Sequence, residues 1–262
     1  MALQLPIKPK LVRRAIKAML YTPLTLANGL RIPFGRSQPR IEFTVEADPP
    51  SVYFNFVVRE DRLDDFVDYL DLPSNLPLAP VSCVKGEEAD YLLTLNVYRV
   101  SGITNGIRAE FSTYIEDEEG VPRYMVVEAR DHTGSMDPIN IFTRASRVEH
   151  QHDDDGMTTV VASNGGALFE ASAGQAAFDA APLANIHPEW MQANDFIYWR
   201  NGIRDRCYYD AGMANPQVRQ LDPAQVQVND DTHWAEFLEP EPKHVLAYEN
   251  PIHFVIVPWE NL

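Results

Sequence analysis

SVYFNFVVREDRLDDFVDYLDLP, residues 51–73, sets two different periodicities side by side. The run SVYFNFVV at 51–58 is β-branched and aromatic throughout, the composition of a strand. It passes without a linker into EDRLDDFVDYL, where Leu63, Phe66, Val67 and Leu70 recur at i, i+3, i+4 and i+7. That spacing predicts an amphipathic helix, with acids in its first turn where they suit the helix dipole. Pro73, Pro77 and Pro80 mark its end. A strand that feeds directly into a helix, inside a chain otherwise rich in strands, predicts an α+β domain.

Downstream the strand pattern continues almost unbroken. YLLTLNVYRV, GIRAEFSTYIED, VPRYMVVEARD, INIFTRASRVEHQ, MTTVVAS and ALFEASA follow one another, with DEEG at 117–120 and DDDG at 153–156 as hairpin tips. NDFIYWR, RDRCYYDAGM and QVRQLDPAQVQV read the same way. A short helical HWAEFL at 233–238 precedes a final strand, HVLAYENPIHFVIVP. Upstream, KPKLVRRAIKAML at 8–20 has helical spacing and IEFTVEA alternates as a strand. With no internal repeat or low-complexity linker, residues 1–262 read as one mostly antiparallel β domain carrying a few peripheral helices. Residues 1–40 read as a basic N-terminal helix and arm.

Charge narrows the partners. The 262 residues carry a formal net charge of −16. The first 40 hold eight basic side chains and no acid, so the other 222 hold 14 basic and 38 acidic ones. A body that acidic repels phosphate backbones, and nucleic acid is not an expected partner. Eight charges spread over 40 residues are not a dense polybasic cluster, so a membrane surface is not favoured over an acidic part of the protein's own assembly. No apolar run reaches the length of a membrane span, and two cysteines, Cys83 and Cys207, imply no disulfide framework. The expected location is the cytoplasm.

The order of elements resembles the acetoacetate decarboxylase-like family. IKAMLYTPLT is similar to that family's opening Thr-Pro-Leu-Thr segment, and SVYFNFVV leads into a charged helix and a Pro-rich loop as it does there. YMVVEARDHTG resembles the small-Arg-acid strand that precedes the family's active-site lysine stretch, and EPKHVLAYENPIHFVIVPWE resembles its closing segment. The resemblance implies a cone or barrel of mostly antiparallel strands and a homo-oligomer. It also implies Schiff-base chemistry, in which a lysine of depressed pKa condenses with a β-keto acid. This chain departs from that pattern. HTGSMDPIN, where the lysine step belongs, has none, and the five lysines are Lys8, Lys10, Lys17, Lys85 and Lys243. Ser51 stands where the resemblance wants a cation.

The candidate site is therefore built from other residues. Glu128, Arg130, Asp131, His132, Ser135 and Asp137 cluster where a strand ends in a Gly-containing turn, supplying acids, bases and an anion anchor. Asp137, near the lysine's position, is the expected proton carrier, with Glu128, Asp131 and His132 beside it. Arg130 and Ser135 are expected to bind substrate, and Tyr198 and Trp199 of FIYWR to line an apolar wall. The alternative is that DHTGSMDP is a polar loop with Arg130 paired to Asp131 or Glu128 for structure. His150 and His152 in EHQHDDDG suggest metal ligands, yet an exposed hairpin tip accounts for them first, and no metal or other cofactor is expected. His233 and His244 flank acids and read as surface, and His253 as a core histidine. No nucleophile elbow, zinc-protease motif or dinucleotide fingerprint occurs. The expected function is acid–base chemistry on a small carbonyl-containing or acyl metabolite without a Schiff base, as lyase, isomerase or cyclase. The alternative is a non-catalytic small-molecule binder on the same fold.

Overall fold

Phe66 and Leu70, one turn apart, are the buried residues of the amphipathic helix, as the 51–73 periodicity requires. The computed structural model describes residues 41–72, 76–102, 105–116, 120–131, 142–145, 147–163, 166–186, 195–200, 203–209 and 217–256. The helix expected at 8–20 lies outside them. Strands β1 (Ile41–Val45) and β2 (Ser51–Val57) lead through a 3-10 turn, Glu60–Arg62, into helix α1 (Leu63–Leu70). Asp64 and Asp65 occupy the first turn of α1, and the chain leaves it through Asp71 in the left-handed conformation, φ 49°.

Three long strands follow: β3 (Leu92–Gly102), β4 (Gly106–Glu116) and β5 (Pro122–Asp131). The single strand expected at 139–151 is instead two, β6 (Phe142–Arg144) and β7 (Arg147–Asp153), belonging to different sheets. Then come β8 (Gly156–Ser163), β9 (Gly166–Gly174) and a short helix α2 (Gln175–Ala180), which the sequence pattern does not announce. β10 (Asp195–Arg200), β11 (Ile203–Tyr209), β12 (Val218–Leu221), β13 (Val226–Asp230), β14 (His244–Tyr248) and β15 (Ile252–Ile256) complete the described chain. HWAEFL forms a 3-10 turn, Ala235–Phe237.

The larger sheet runs β1-β15-β11-β10-β5-β4-β3-β2-β14-β12, with β6 beside β5. β1 also pairs with β3, so the path of paired strands from β3 through β5, β10, β11 and β15 returns to β3. The pairings are antiparallel except β5–β10 and β5–β6, which are parallel. The smaller sheet, β13-β9-β8-β7, is antiparallel throughout. In its β7–β8 hairpin Asp153 pairs with Gly156. A Cβ at Gly156, where φ is +121°, would lie 2.2 Å from the Ala173 carbonyl oxygen, so only glycine fits that close approach.

The core lies between the two sheets. Val52, Phe54 and Phe56 of β2, Leu93, Leu95 and Val97 of β3, and Ala109 and Phe111 of β4 face Val148, Met157, Val161 and Phe169 of the smaller sheet. Phe169 meets Phe54 and Phe56 edge-on at centroid distances of 5.3 and 6.5 Å. Trp234 and Phe237 pack on Phe66 of α1, closing one end of this layer. Among the described residues no helix is long and apolar enough to cross a membrane.

Candidate functional site

The apolar residues just named take alternate positions along β2, β3 and β4, so the intervening residues share the opposite face of the sheet. Those are Ser51, Tyr53 and Asn55, then Thr94, Asn96 and Tyr98, then Arg108, Glu110, Ser112 and Tyr114. The register sets them in rows. Asn55, Thr94 and Ser112 form one row, Tyr53, Asn96 and Glu110 the next, and Tyr98 pairs with Arg108. β14 adds His244 beside Asn55 and Tyr248 beside Ser51, while β5 adds Ala129 beside Glu110 and Tyr124 beside Tyr114. This interior face is closed off from bulk solvent: none of Ser51, Asn55, Thr94, Asn96, Arg108, Glu110 or Ser112 exceeds 4% exposure. Segments around 79–84 and 184–186 cover it, contributing Ala79, Val81, Cys83 and Val84.

Ten polar and phenolic side chains on one buried face need partners, because a buried group without one costs about 1–3 kcal/mol. Ser51 Oγ donates to Asn96 Oδ1 at 3.0 Å, and Thr94 Oγ1 to Asn55 Oδ1 at 2.6 Å. Asn96 and Ser51 also hydrogen-bond the Tyr53 phenol, and the Tyr98 phenol bonds Glu110. Burial, reinforced by the Glu110 charge, raises the Tyr53 and Tyr98 phenols far above their usual range. Burial raises Tyr124 likewise, helped by Tyr53, Tyr114 and Glu110, while the nearby Ser112 hydroxyl opposes the shift. Neither Ser112 Oγ nor Tyr124 Oη completes a hydrogen bond of good geometry within the protein. The result is a buried carboxylate surrounded by phenols held in their neutral, proton-donating form. Such a set can hold a carbonyl or oxyanion by donation and move a proton at carbon or oxygen.

Glu128 and Arg130 lie on the other side of the sheet. They pair with Phe111 and Ala109, residues of the inter-sheet core. Arg130 Nη2 meets Glu128 Oε1 at 2.5 Å, with both side chains nearly buried at 12% and 13% exposure. Trp234 Nε1 donates to Glu128 Oε2 at 3.0 Å, and His233 Nε2 approaches the same oxygen at 3.4 Å. Tyr69 of α1 packs at a tilt against His233 and meets Trp234 edge-on. The Arg130 guanidinium is thus already matched to a carboxylate of its own chain.

Asp131 takes the alternate register position at the end of β5, opposite Arg108 of β4 and Arg144 of β6. It is therefore at the edge of the row of Tyr98 and Arg108, not in the Glu128–Arg130 group. Tyr198 and Trp199 sit in β10, Tyr198 opposite Val126 of β5 and Trp199 opposite Arg204 of β11. His132, Ser135 and Asp137 lie outside the described residues. His150 is buried, with Nε2 2.7 Å from the Pro50 carbonyl and Nδ1 2.8 Å from Thr159 Oγ1, so neither nitrogen is left for a metal. His152 bonds Gln175 at 3.1 Å and stacks on Phe178. His244, expected at the surface, is buried at 3% exposure because β14 pairs inside the sheet with β2. Among the described residues no three His, Cys, Asp or Glu side chains group as metal ligands do.

Two solved structures superpose on most of this chain. One is acetoacetate decarboxylase from Legionella pneumophila subsp. pneumophila str. Philadelphia 1, with a TM-score of 0.57 and 10% identity over 89% of this chain and 93% of that one. The other, also described as acetoacetate decarboxylase, gives a TM-score of 0.54 at 10% identity over 86% and 88%. The fold is that of acetoacetate decarboxylase. No protein-family model matches the sequence, and no curated protein does. At 10% identity the likeness is one of fold.

On this acetoacetate decarboxylase fold the interior residues are the ones that sequence reasoning passed over. GIRAEFSTYIED carries Arg, Glu, Ser and Tyr at alternate positions, which taken alone reads as a solvent-facing edge. The missing signal was combinatorial. β2, β3 and β4 each alternate apolar with polar, and three neighbouring central strands cannot all turn their polar side to water if that side is roofed. Of the described lysines, Lys85 is exposed and Lys243 is bound to Asp90 at 2.5 Å and to the Glu88 carbonyl at 3.2 Å.

Proposed function

We propose that this protein binds a small carbonyl-containing or acyl metabolite on the interior face of the large sheet and transforms it by acid–base chemistry, without a Schiff base. The observation that carries this reading is Glu110, 4% exposed and set among the neutral phenols of Tyr53, Tyr98 and Tyr124. In the proposal a phenol donates to the substrate carbonyl oxygen and Glu110 moves the proton on the adjacent atom. Arg108, next along the strand on the same face, offers positive charge to an anionic substrate. The engagement of Lys243 with Asp90 supports a mechanism that uses no lysine of the described residues as nucleophile. Asp131, His132, Ser135 and Asp137 belong to the proposal as the polar groups that follow Arg130 in the sequence, and Tyr198 and Trp199 as wall residues. Glu128 and Arg130 support them from behind, as an ion pair bound to Trp234. Dehydration, isomerisation and cyclisation can begin with this proton transfer, whereas in decarboxylation the same groups would hold the enolate oxygen and return a proton to the carbon once CO2 has left.

Because the solved structures of this fold are described as acetoacetate decarboxylases, β-keto acids head the ligand panel, followed by α,β-unsaturated carbonyl compounds and acyl thioesters. The test is ¹H NMR of each compound with the full-length protein and with Glu110→Gln. Turnover that falls by about 10²-fold or more in the variant is the expected result. Thermal stabilisation by a panel member without turnover would establish a binder instead. Turnover unaffected by Glu110→Gln would overturn the assignment of this face. A homo-oligomer in the cytoplasm completes the proposal, and light scattering on the purified protein checks the assembly.

A further inference from the structure

His244 enters the interior face from its far corner, beneath the segment that carries Cys83, Glu87 and Asp90. Its Nε2 lies 3.0 Å from Glu87 Oε2, and the Glu87 side chain is 35% exposed. A neutral imidazole facing a carboxylate keeps its proton on the facing nitrogen, so Nε2 is the donor and Nδ1 carries the lone pair. Nδ1 is buried and has no hydrogen-bond partner within the protein. Asn55 is the direct cross-strand neighbour of His244. Its Oδ1 is taken by Thr94, which leaves Nδ2, also buried and also without a protein partner. Ser112, opposite Thr94, carries a buried hydroxyl that reaches only the Tyr124 phenol. An acceptor at Nδ1 beside a donor at Nδ2 is the pair that one water molecule satisfies, donating to the first and accepting from the second.

We propose that Glu87 and His244 form a proton-accepting dyad for the interior face, joined to the Glu110 region by water bound along the row His244, Asn55, Thr94 and Ser112. The proposal rests on the reading of that face as a ligand site. The step is balanced within the site. An O–H of bound water or ligand gives its proton to His244 Nδ1, the lone pair forms the new N–H bond, and the imidazolium is offset by the Glu87 carboxylate; the reverse step returns the proton to the same oxygen. The other charged groups acting on His244 are Lys243 and Asp90. Burial holds the imidazole below its ordinary pKa, Glu87 and Asp90 pull it up, and Lys243 acts with burial. The ring is therefore neutral and able to accept near neutral pH.

Long-range ¹⁵N–¹H imidazole spectra of the full-length protein, recorded from pH 8 to pH 6, test the dyad without any substrate. His244 is expected as a single Nε2–H tautomer whose Nδ1 is a hydrogen-bond acceptor, and Glu87→Ala is expected to lose that single form. An Nδ1–H tautomer, or an imidazolium across the whole range, would overturn the proposal. A crystal structure at high resolution gives the second readout. A water within hydrogen-bond distance of both His244 Nδ1 and Asn55 Nδ2 is expected, and a dry contact at that position would contradict it. If the ligand panel fails while these results hold, the ligand-site reading falls and the dyad remains as a hydrated structural pair.

Discussion

Acidification from pH 7 to pH 4 should destabilise this protein through one identifiable group, His150. Its imidazole bridges Thr159 of the smaller sheet and the Pro50 carbonyl at the entrance to β2, so it ties the two sheets together. Burial lowers its pKa from 6.5 to about 4; the hydrogen bond to Pro50 opposes the shift, and His152 and Arg99 add to it. The unfolded chain takes up this proton near pH 6.5, whereas the folded protein resists it until about pH 4. Stability is therefore complete above pH 6.5, falls through the window between the two values, and loses nothing more from this group below it. At 1.36 kcal/mol per pH unit, a displacement of about 2.5 units corresponds to a loss of about 3 kcal/mol. Urea unfolding of the wild type and of His150→Gln at pH 7.5, 6, 5 and 4 isolates the term, since every other titrating group is shared. Gln keeps a donor for Pro50 but cannot be protonated, so the variant is expected to be less stable at pH 7.5 and to close or reverse the gap by pH 4. A gap that does not change with pH would refute the reasoning.

Three further outcomes follow from the packing and the electrostatics. Gly156→Ala should cost about 2 kcal/mol or more in thermal or urea unfolding, because its Cβ would meet the Ala173 carbonyl oxygen at 2.2 Å and φ is +121°; a neutral substitution would mean that the hairpin does not hold this conformation. Trp234→Phe removes the donor to Glu128 Oε2 and should cost about 2 kcal/mol. That cost should shrink in a Glu128→Gln background, and strict additivity in the double-mutant cycle would argue against the bond. In a spectrophotometric titration, Tyr53, Tyr98 and Tyr124 should stay un-ionised until the fold is lost, so the native protein shows at most eight of its 11 phenols titrating near pH 10. More than eight ionising reversibly before unfolding would contradict the buried interior.

The fold was legible where its determinants are local. The change from strand to helical period within residues 51–73 is visible in any short window, and β2 and α1 form there. The hairpin at DDDG is equally local, because glycine at 156 is demanded by backbone contact. What the sequence does not expose is the layer on which a residue falls. His150 sits beside three consecutive acids, yet strand parity turns it toward Thr159 and Pro50. His244 follows EPK and reads as surface, yet pairing with Asn55, 189 positions earlier, draws it inside. The parallel alignment of β10 with β5 is likewise invisible to local pattern, since about 70 residues separate the two strands in the chain.

The candidate site shows the same division. The cluster around Glu128–Asp131 was found because its charges are adjacent in sequence, and strand alternation then splits it, with the Glu128–Arg130 pair on one face and Asp131 at the alternate position. Ser51, Asn96 and Glu110 share a face only because three strands align, and each alone looks like an ordinary polar strand residue. Burial of the unremarkable glutamate in GIRAEFSTYIED is what gives it chemical interest, and burial is a property of the assembled layers.

The most direct test of the account is a high-resolution crystal structure of the as-purified full-length protein, examined beside Glu110. Ordered solvent or a bound small molecule, hydrogen-bonded to Glu110 and to at least one of the Tyr53, Tyr98 and Tyr124 phenols, is the predicted result. Side chains interlocked without solvent, with every phenol and the Glu110 carboxylate bonded only to one another, would contradict the claim that this face receives a ligand.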